Sequence, residues 1–241
     1  MKKISLFILT GLLSLSLMAQ DKIINDPNAE ARSVGSFHGI RVSNGIELVL
    51  KQGNSEAVAV SASEKQYRDR IKTEVVNGVL KIYYDNDHWW KGWNTGGKKL
   101  KAYVSCKEID RLDGSSGSFT NIEGTLTASG SLAIQLSSGA ELKGDIKSGR
   151  LSFDQSSGST AHVSGSSQSL SVQTSSGAGF YGFDLSSDKC DADASSGGSI
   201  HITVNKELSA EASSGGGIHY KGGGVITKVS TSSGGSVKKN G

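Results

Sequence analysis

The 241-residue chain lacks the motifs that mark the common enzyme classes. It contains no Gly-x-Ser-x-Gly, no His-Glu-x-x-His and no P-loop. A polysaccharide-cleaving enzyme would need carboxylates or a base gathered in a cleft, whereas the charged residues here are scattered along the chain. We therefore expect a protein that is not an enzyme and that has no cofactor and no metal site. A polysaccharide-active enzyme is the less favoured alternative.

Long apolar runs are missing after the first residues. Lys2 and Lys3 precede the apolar residues 4–18, and Ala19 completes a cleavage pattern, so residues 1–19 are expected to be a signal peptide. With no later run of 18 apolar residues, no transmembrane anchor is expected. Removing the two lysines lowers the formal charge from +3 to +1. A nearly neutral chain gives no electrostatic argument for nucleic acid or for a polybasic membrane anchor.

Proline is almost absent, with one residue, whereas glycine occurs 32 times. Many of the glycines belong to a tripeptide, Ser-Ser-Gly, that returns at steps of 22, 19, 19, 20, 18 and 19 residues. A fixed period of this size indicates a solenoid, in which each repeat is one coil. We expect the tripeptide to form the corner of each coil, because glycine tolerates positive φ. The predicted corner glycines are Gly117, Gly139, Gly158, Gly177, Gly197, Gly215 and Gly234.

Apolar residues recur in register on both sides of each corner. Positions −5 and −3 from the first serine, and +3 and +5 from the glycine, are mostly apolar and alternate with polar residues. This pattern predicts an all-β, right-handed parallel β-solenoid with coils of about 19 residues. Each coil is expected to have two strands, joined at the second corner by a polar turn such as 186–188 or 222–224.

Only two cysteines occur, Cys106 and Cys190, and they lie four coils apart. At ~4.8 Å per coil their separation is ~19 Å, beyond the ~7 Å limit for a disulfide. Both are expected to be buried free thiols.

The residues before the regular repeats predict a β-rich cap. Residues 20–35 look like a linker, and residues 36–241 form one domain, with degenerate coils and a cap over 36–111 and regular coils over 112–241. Ser43-Asn44-Gly45 is a degenerate corner, and one or two helical turns are expected within 64–73. Asn77-Gly78 between apolar strands predicts a hairpin.

The order of these segments resembles a known family. Residues 37–42, 45–53 and 79–82, followed by the Ser-Ser-Gly repeats, are similar to the "putative auto-transporter adhesin, head GIN domain" family, over roughly residues 36–239. The resemblance implies a β-helical fold, a location in the cell envelope and a role in adhesion.

Two places carry candidate binding residues. One loop holds His88 and all three tryptophans, Trp89, Trp90 and Trp93. It is either a sugar-binding platform or an apolar cap on the open end of the solenoid. The outward position +4 holds Tyr181, His201 and His219 in successive coils, and the two histidines are expected to lie near 5 Å apart.

These features favour an exported envelope protein, located in the periplasm, at the outer membrane or outside the cell. We expect its partners to be glycans, or proteins of the envelope or of a host surface. The alternative is a structural module that assembles with copies of itself into a homo-oligomer.

Overall fold

The computed structural model describes residues 26–85 and 97–240. It is 66% strand and 2% helix and forms a β-solenoid of about seven turns, which confirms the predicted fold class. The elements, in chain order, are β1 (Glu30–Arg32), β2 (Gly39–Val42), β3 (Glu47–Gln52), β4 (Ala57–Ser61), α1 (Lys65–Arg68), β5 (Ile71–Val76), β6 (Val79–Tyr84), β7 (Lys101–Cys106), β8 (Arg111–Gly114), β9 (Phe119–Leu136), β10 (Glu141–Gln155), β11 (Thr160–Thr174), β12 (Gly179–Ala194), β13 (Ser199–Ala212), β14 (Gly217–Lys221), β15 (Val225–Thr231) and β16 (Ser236–Lys239).

The regular coils consist of one long strand each, and not of two strands. Strands β9 to β13 run for 14 to 18 residues and pair in parallel with the coils before and after them. The expected turn at 186–188 is wrong, because these residues lie inside β12. The strand bends through register shifts instead, as between Gly182 and Ser186. Among the regular coils that the structure describes, the second corner interrupts the strand only at residues 222–224, between β14 and β15.

The Ser-Ser-Gly tripeptides form the corners, as predicted. At every corner the second serine has φ of 47–54° and the glycine φ of 69–79°, the two positive angles of a type I′ turn. The backbone N–H of the fourth residue of each turn, directly after the glycine, donates to the carbonyl of the first serine at 2.8–3.2 Å. Asn44 (φ 60°) and Gly45 (φ 70°) repeat the geometry, so the degenerate corner is confirmed.

Backbone hydrogen bonds also link each corner to the next. Each corner glycine, except that of the last corner, donates its N–H to the carbonyl of the second serine in the following coil, at 3.0–3.1 Å. Gly45 begins this series by donating to Ser116, and Gly215 continues it to Ser233. The corner is therefore a continuous ladder along the solenoid.

The predicted inward columns form the core. The residues at −5 and −3, and at +3 and +5, are almost all buried up to the last coil. Phe153 and Phe180 pack edge to face inside the solenoid, with centroids 4.8 Å apart. A further inward column, on the segment between the two faces, includes Leu126, Ile146 and Leu185, each at most 1% exposed.

Both cysteines are free and buried, as expected. Burial raises the pKa of Cys106 to about 11 and that of Cys190 to about 12. Neither thiol is ionised near neutral pH, so both act as small apolar side chains.

The N-terminal end is closed by antiparallel strands. Strand β1, within the expected linker, pairs with β4, and β4 pairs with β7. The Asn77-Gly78 hairpin is confirmed, since β5 pairs antiparallel with β6. Arg68 of α1 donates to the carbonyl of Asn28 and contacts Glu30, each at 2.9 Å. The Arg68 contacts tie α1 to the segment of β1, and the pairing of β4 with β7, which itself pairs with β3, joins the cap to the solenoid.

Candidate functional site

One face of the solenoid carries a line of ring side chains that we name the aromatic column: His162, Tyr181, His201 and His219. These residues occupy the same outward position on β11, β12, β13 and β14. The parallel register pairs them directly, one coil after another. Side chains in such a register lie about one strand spacing apart. The corner ladder thus determines the spacing of the rings.

The rings of the aromatic column are in contact. His162 stacks on Tyr181 with centroids 4.8 Å apart and planes at 10°. Tyr181 and His201 are 5.1 Å apart, and His201 and His219 are 5.0 Å apart and tilted by 39°. The expected separation of the two histidines is confirmed. Tyr181 is 41% exposed, so the centre of the column faces solvent.

A glycine lets the tyrosine lie close to the sheet. A Cβ atom at Gly179 would be 2.9 Å from Tyr181 Cε2 and 3.2 Å from its hydroxyl oxygen. Such a contact is too short, so the ring lies where a side chain at residue 179 would be. The absence of that side chain therefore gives the column a low, flat profile.

Sequence reasoning missed two further members of this surface, Phe183 and Lys221. The Phe183 ring lies 5.1 Å from that of His201, and Lys221 Nζ lies 4.3 Å from the Phe183 centroid. Each lies two residues after a column member on the same strand, where side chains share one face. That period-two spacing could have placed both residues on the face of the column, although it does not predict which rings they contact.

Burial and a neighbouring imidazole favour the neutral form of His201. Desolvation, with a smaller contribution from neighbouring His219, lowers the pKa of His201 below its usual 6.5. A hydrogen bond of 3.2 Å joins Ser199 Oγ to His201 Nε2, and His219 Nδ1 donates to Asn240 Oδ1 at 3.2 Å. The lowered pKa favours the neutral form of His201, and polar groups lie along the edge of the column. Such a surface can stack on an apolar ligand face and hydrogen-bond to hydroxyls.

The tryptophan loop is the second place with predicted binding residues. His88, Trp89, Trp90 and Trp93 lie outside the described residues. Both interpretations of the loop, as a cap or as a binding platform, stay predictions.

The remaining surface offers polar sites of other kinds. Three acidic side chains, those of Asp191, Asp193 and Glu211, line a pocket of about 100 Å³. Within residues 26–85 and 97–240, no group of three His, Cys, Asp or Glu side chains has the geometry of a metal site. A groove of about 470 Å³ crosses several coils and is lined mainly by small polar residues such as Ser148 and Ser167.

The family of the chain follows from its sequence match. The model of the family described as "putative auto-transporter adhesin, head GIN domain" matches residues 36–224. The chain belongs to this family. No functionally curated protein matches it significantly.

Several solved structures share the fold. A "putative adhesin" from Bacteroides fragilis is 17% identical, with a TM-score of 0.73, covering 88% of this chain and 96% of that one. A "putative adhesin" from Parabacteroides merdae is 15% identical, with a TM-score of 0.66, covering 88% and 95%. A "putative lipid binding protein" from Parabacteroides distasonis is 22% identical, with a TM-score of 0.59, covering 90% and 98%. In the part of the chain that the structure describes, no helix is long and apolar enough to span a membrane.

Proposed function

We propose that the protein is an exported, non-enzymatic, adhesin-like solenoid that binds glycans on its aromatic column. The observation that carries the proposal is the continuous contact of four outward rings over four coils, with Tyr181 at their centre 41% exposed. Exposed aromatic residues that form a contiguous surface are typical of binding sites.

The chemistry of the column suits a sugar chain. Flat ring faces stack on the apolar faces of pyranose rings, and polar groups beside them hydrogen-bond to the hydroxyls. Here the polar groups are the Ser199 hydroxyl and the Asn240 amide, which contact column members, and the Lys221 ammonium, which lies over the Phe183 ring beside the column. Because the rings repeat with each coil, the surface extends along the solenoid, and an extended chain fits it better than a single sugar.

The family name supports an adhesive and exported protein, and two structural relatives are described as adhesins. The final location that we propose is the periplasm, the outer membrane surface or the medium. Of the predicted binding residues, Tyr181, His201 and His219 belong to this proposal directly. The tryptophan loop is proposed as a second contact.

A glycan array probed with the purified protein tests the proposal. Replacing the central ring, Tyr181→Ala, should weaken glycan binding at least about ten-fold, because truncating a central aromatic anchor costs on the order of 2 kcal/mol. Tyr181→Phe keeps the ring and should retain most of the affinity. Lys143→Ala, on the same outward column but outside the ring contacts, is the matched control and should bind normally.

Other outcomes would replace the proposal. Glycan binding that survives Tyr181→Ala and is lost in Trp89→Ala/Trp90→Ala would move the site to the loop. No glycan binding, together with concentration-dependent oligomers in light scattering, would favour the structural module. Cleavage of any polysaccharide would contradict a non-enzymatic role.

A further inference from the structure

The two ends of the solenoid differ, and the C-terminal end is open. Within the described residues, β15 pairs only with β13, and β16 pairs only with β14. All seven residues of β15 are exposed, including Val225 at 69%, Ile226 at 45% and Val229 at 47%. In the preceding coil Leu208 and Ala210, the register partners of Ile226 and Val229, are fully buried. Among the described residues, nothing covers this apolar surface.

The same end is basic. Residues 212–240 contain four lysines, Lys221, Lys228, Lys238 and Lys239, and no aspartate or glutamate. Lys228 pairs with Glu211 of the preceding coil, and Lys221 lies over Phe183. Lys238 and Lys239 are exposed and have no ion pair within the described part of the chain. This end therefore combines exposed apolar side chains with two exposed lysines that have no ion pair among the described residues.

This charge distribution argues against a second copy as the occupant. A two-fold contact between identical ends would bring the two lysine clusters together, and lysines at a strand edge oppose edge-to-edge pairing. A head-to-tail contact would need a free edge at the opposite end, where the antiparallel cap covers the parallel coils.

An anionic lipid surface matches both properties. We propose that the open C-terminal end docks onto a bilayer containing anionic lipids. The side chains of Val225, Ile226 and Val229 enter the boundary between headgroups and acyl chains, and the lysines contact lipid phosphates. The free edge of β15 stays at headgroup level, where water and headgroups can satisfy its backbone groups. The solenoid then projects from the membrane with the aromatic column along its side.

Vesicle co-sedimentation tests the proposal directly. The purified protein should sediment with phosphatidylcholine vesicles that contain phosphatidylglycerol and remain in solution with phosphatidylcholine alone. Lys238→Glu/Lys239→Glu should reduce the partition coefficient at least about ten-fold, since each lysine near an anionic surface contributes on the order of a several-fold gain. High salt should reduce it as well.

Two further variants separate the apolar contribution from the overall charge. Val225→Ser/Ile226→Ser should weaken vesicle binding without changing the charge. Lys143→Glu, an exposed lysine of a middle coil, alters the net charge away from the end and should bind vesicles nearly as well as the unmodified chain. Circular dichroism checks that each variant is folded.

Three results would overturn the proposal. One is an absence of sedimentation with the anionic vesicles, and another is equal loss in Lys143→Glu and Lys238→Glu/Lys239→Glu. The third is a concentration-dependent dimer in light scattering that Val225→Ser/Ile226→Ser abolishes, because a second copy would then cover the end. Glycan binding on the column is independent of all three.

Discussion

At the scale of single residues, the corner depends on two consecutive left-handed conformations. Glycine adopts such angles readily, but a serine there is strained. The strain at the second serine, as at Ser176 with φ 51°, recurs in every coil, and the turn and ladder hydrogen bonds made at each corner offset it. The small side chains leave these bonds unobstructed.

Replacing one corner glycine should show how much stability depends on the positive φ at that position. A Cβ atom at Gly177 would meet nothing within 4 Å, so any cost comes from its φ of 72°. Gly177→Val should lower the free energy of unfolding in urea by about 1–3 kcal/mol. Gly177→Asn should cost much less, since asparagine tolerates this region. Equal destabilisation by valine and asparagine would contradict the conformational explanation.

The imidazole of His201 gives a second prediction at this scale. Its lowered pKa means that the folded state disfavours the proton, so its contribution to stability is present above about pH 6.5 and declines as the pH falls below that value. Titration followed by NMR should give His201 a pKa below that of a free histidine. In His219→Asn the pKa should move part of the way back up, because the neighbouring imidazolium charge is removed. A normal pKa for His201 in the unmodified chain would contradict this prediction.

At the scale of elements, burial in one column depends on the position of the coil. Val172 and Val229 both occupy position −3, yet Val172 is fully buried and Val229 is 47% exposed. Val172→Ala should cost about 2 kcal/mol, and Val229→Ala less than about 0.5 kcal/mol. Chemical denaturation of the two variants measures the difference. Similar losses would show that Val229 is covered in solution.

The sequence predicted the Ser-Ser-Gly corners correctly but did not predict how the strand bends between them. Ser-Ser-Gly and the alternating columns have strict spacing, so the corners and the two main inward faces could be predicted. The second bend has no repeated tripeptide: Gly124, Gly165 and Gly222 adopt positive φ there, whereas in β12 the chain changes direction by a register shift near Ser186. A change of pairing with a neighbouring coil leaves no local pattern. The expected turn was therefore wrong.

For the candidate site, too, the repeat predicts the position of residues but not every contact between them. The outward column and its 5 Å spacing follow from the repeat alone, and so Tyr181, His201 and His219 could be aligned in advance. The contact of Phe183 with His201 joins residues at different positions of neighbouring coils. Such a diagonal contact depends on ring orientation, which spacing does not determine.

At the scale of the whole molecule, the net charge is near zero, but the charged residues are unevenly distributed along the solenoid. The four lysines within residues 212–240 are balanced by acidic residues elsewhere in the chain. The total charge therefore gives no argument for binding to a membrane surface, whereas the fold places these lysines at one end of the solenoid. In a stacked architecture, the sequence position of a charge decides where along the axis it acts.

The same stacking predicts a gradient of local stability. Each coil contacts only its neighbours, and the N-terminal end is capped while the C-terminal end is open. Ala161 and Ile218 occupy equivalent inward positions, and both are fully buried. Opening the solenoid at Ile218 requires release of only the last coil, whereas opening at Ala161 disrupts coils on both sides. Hydrogen exchange should therefore be faster at the amides of β14 than at those of β11, by a factor of ten for each ~1.4 kcal/mol of difference in opening free energy. Equal protection along the whole solenoid would instead mean that the coils open as one cooperative unit.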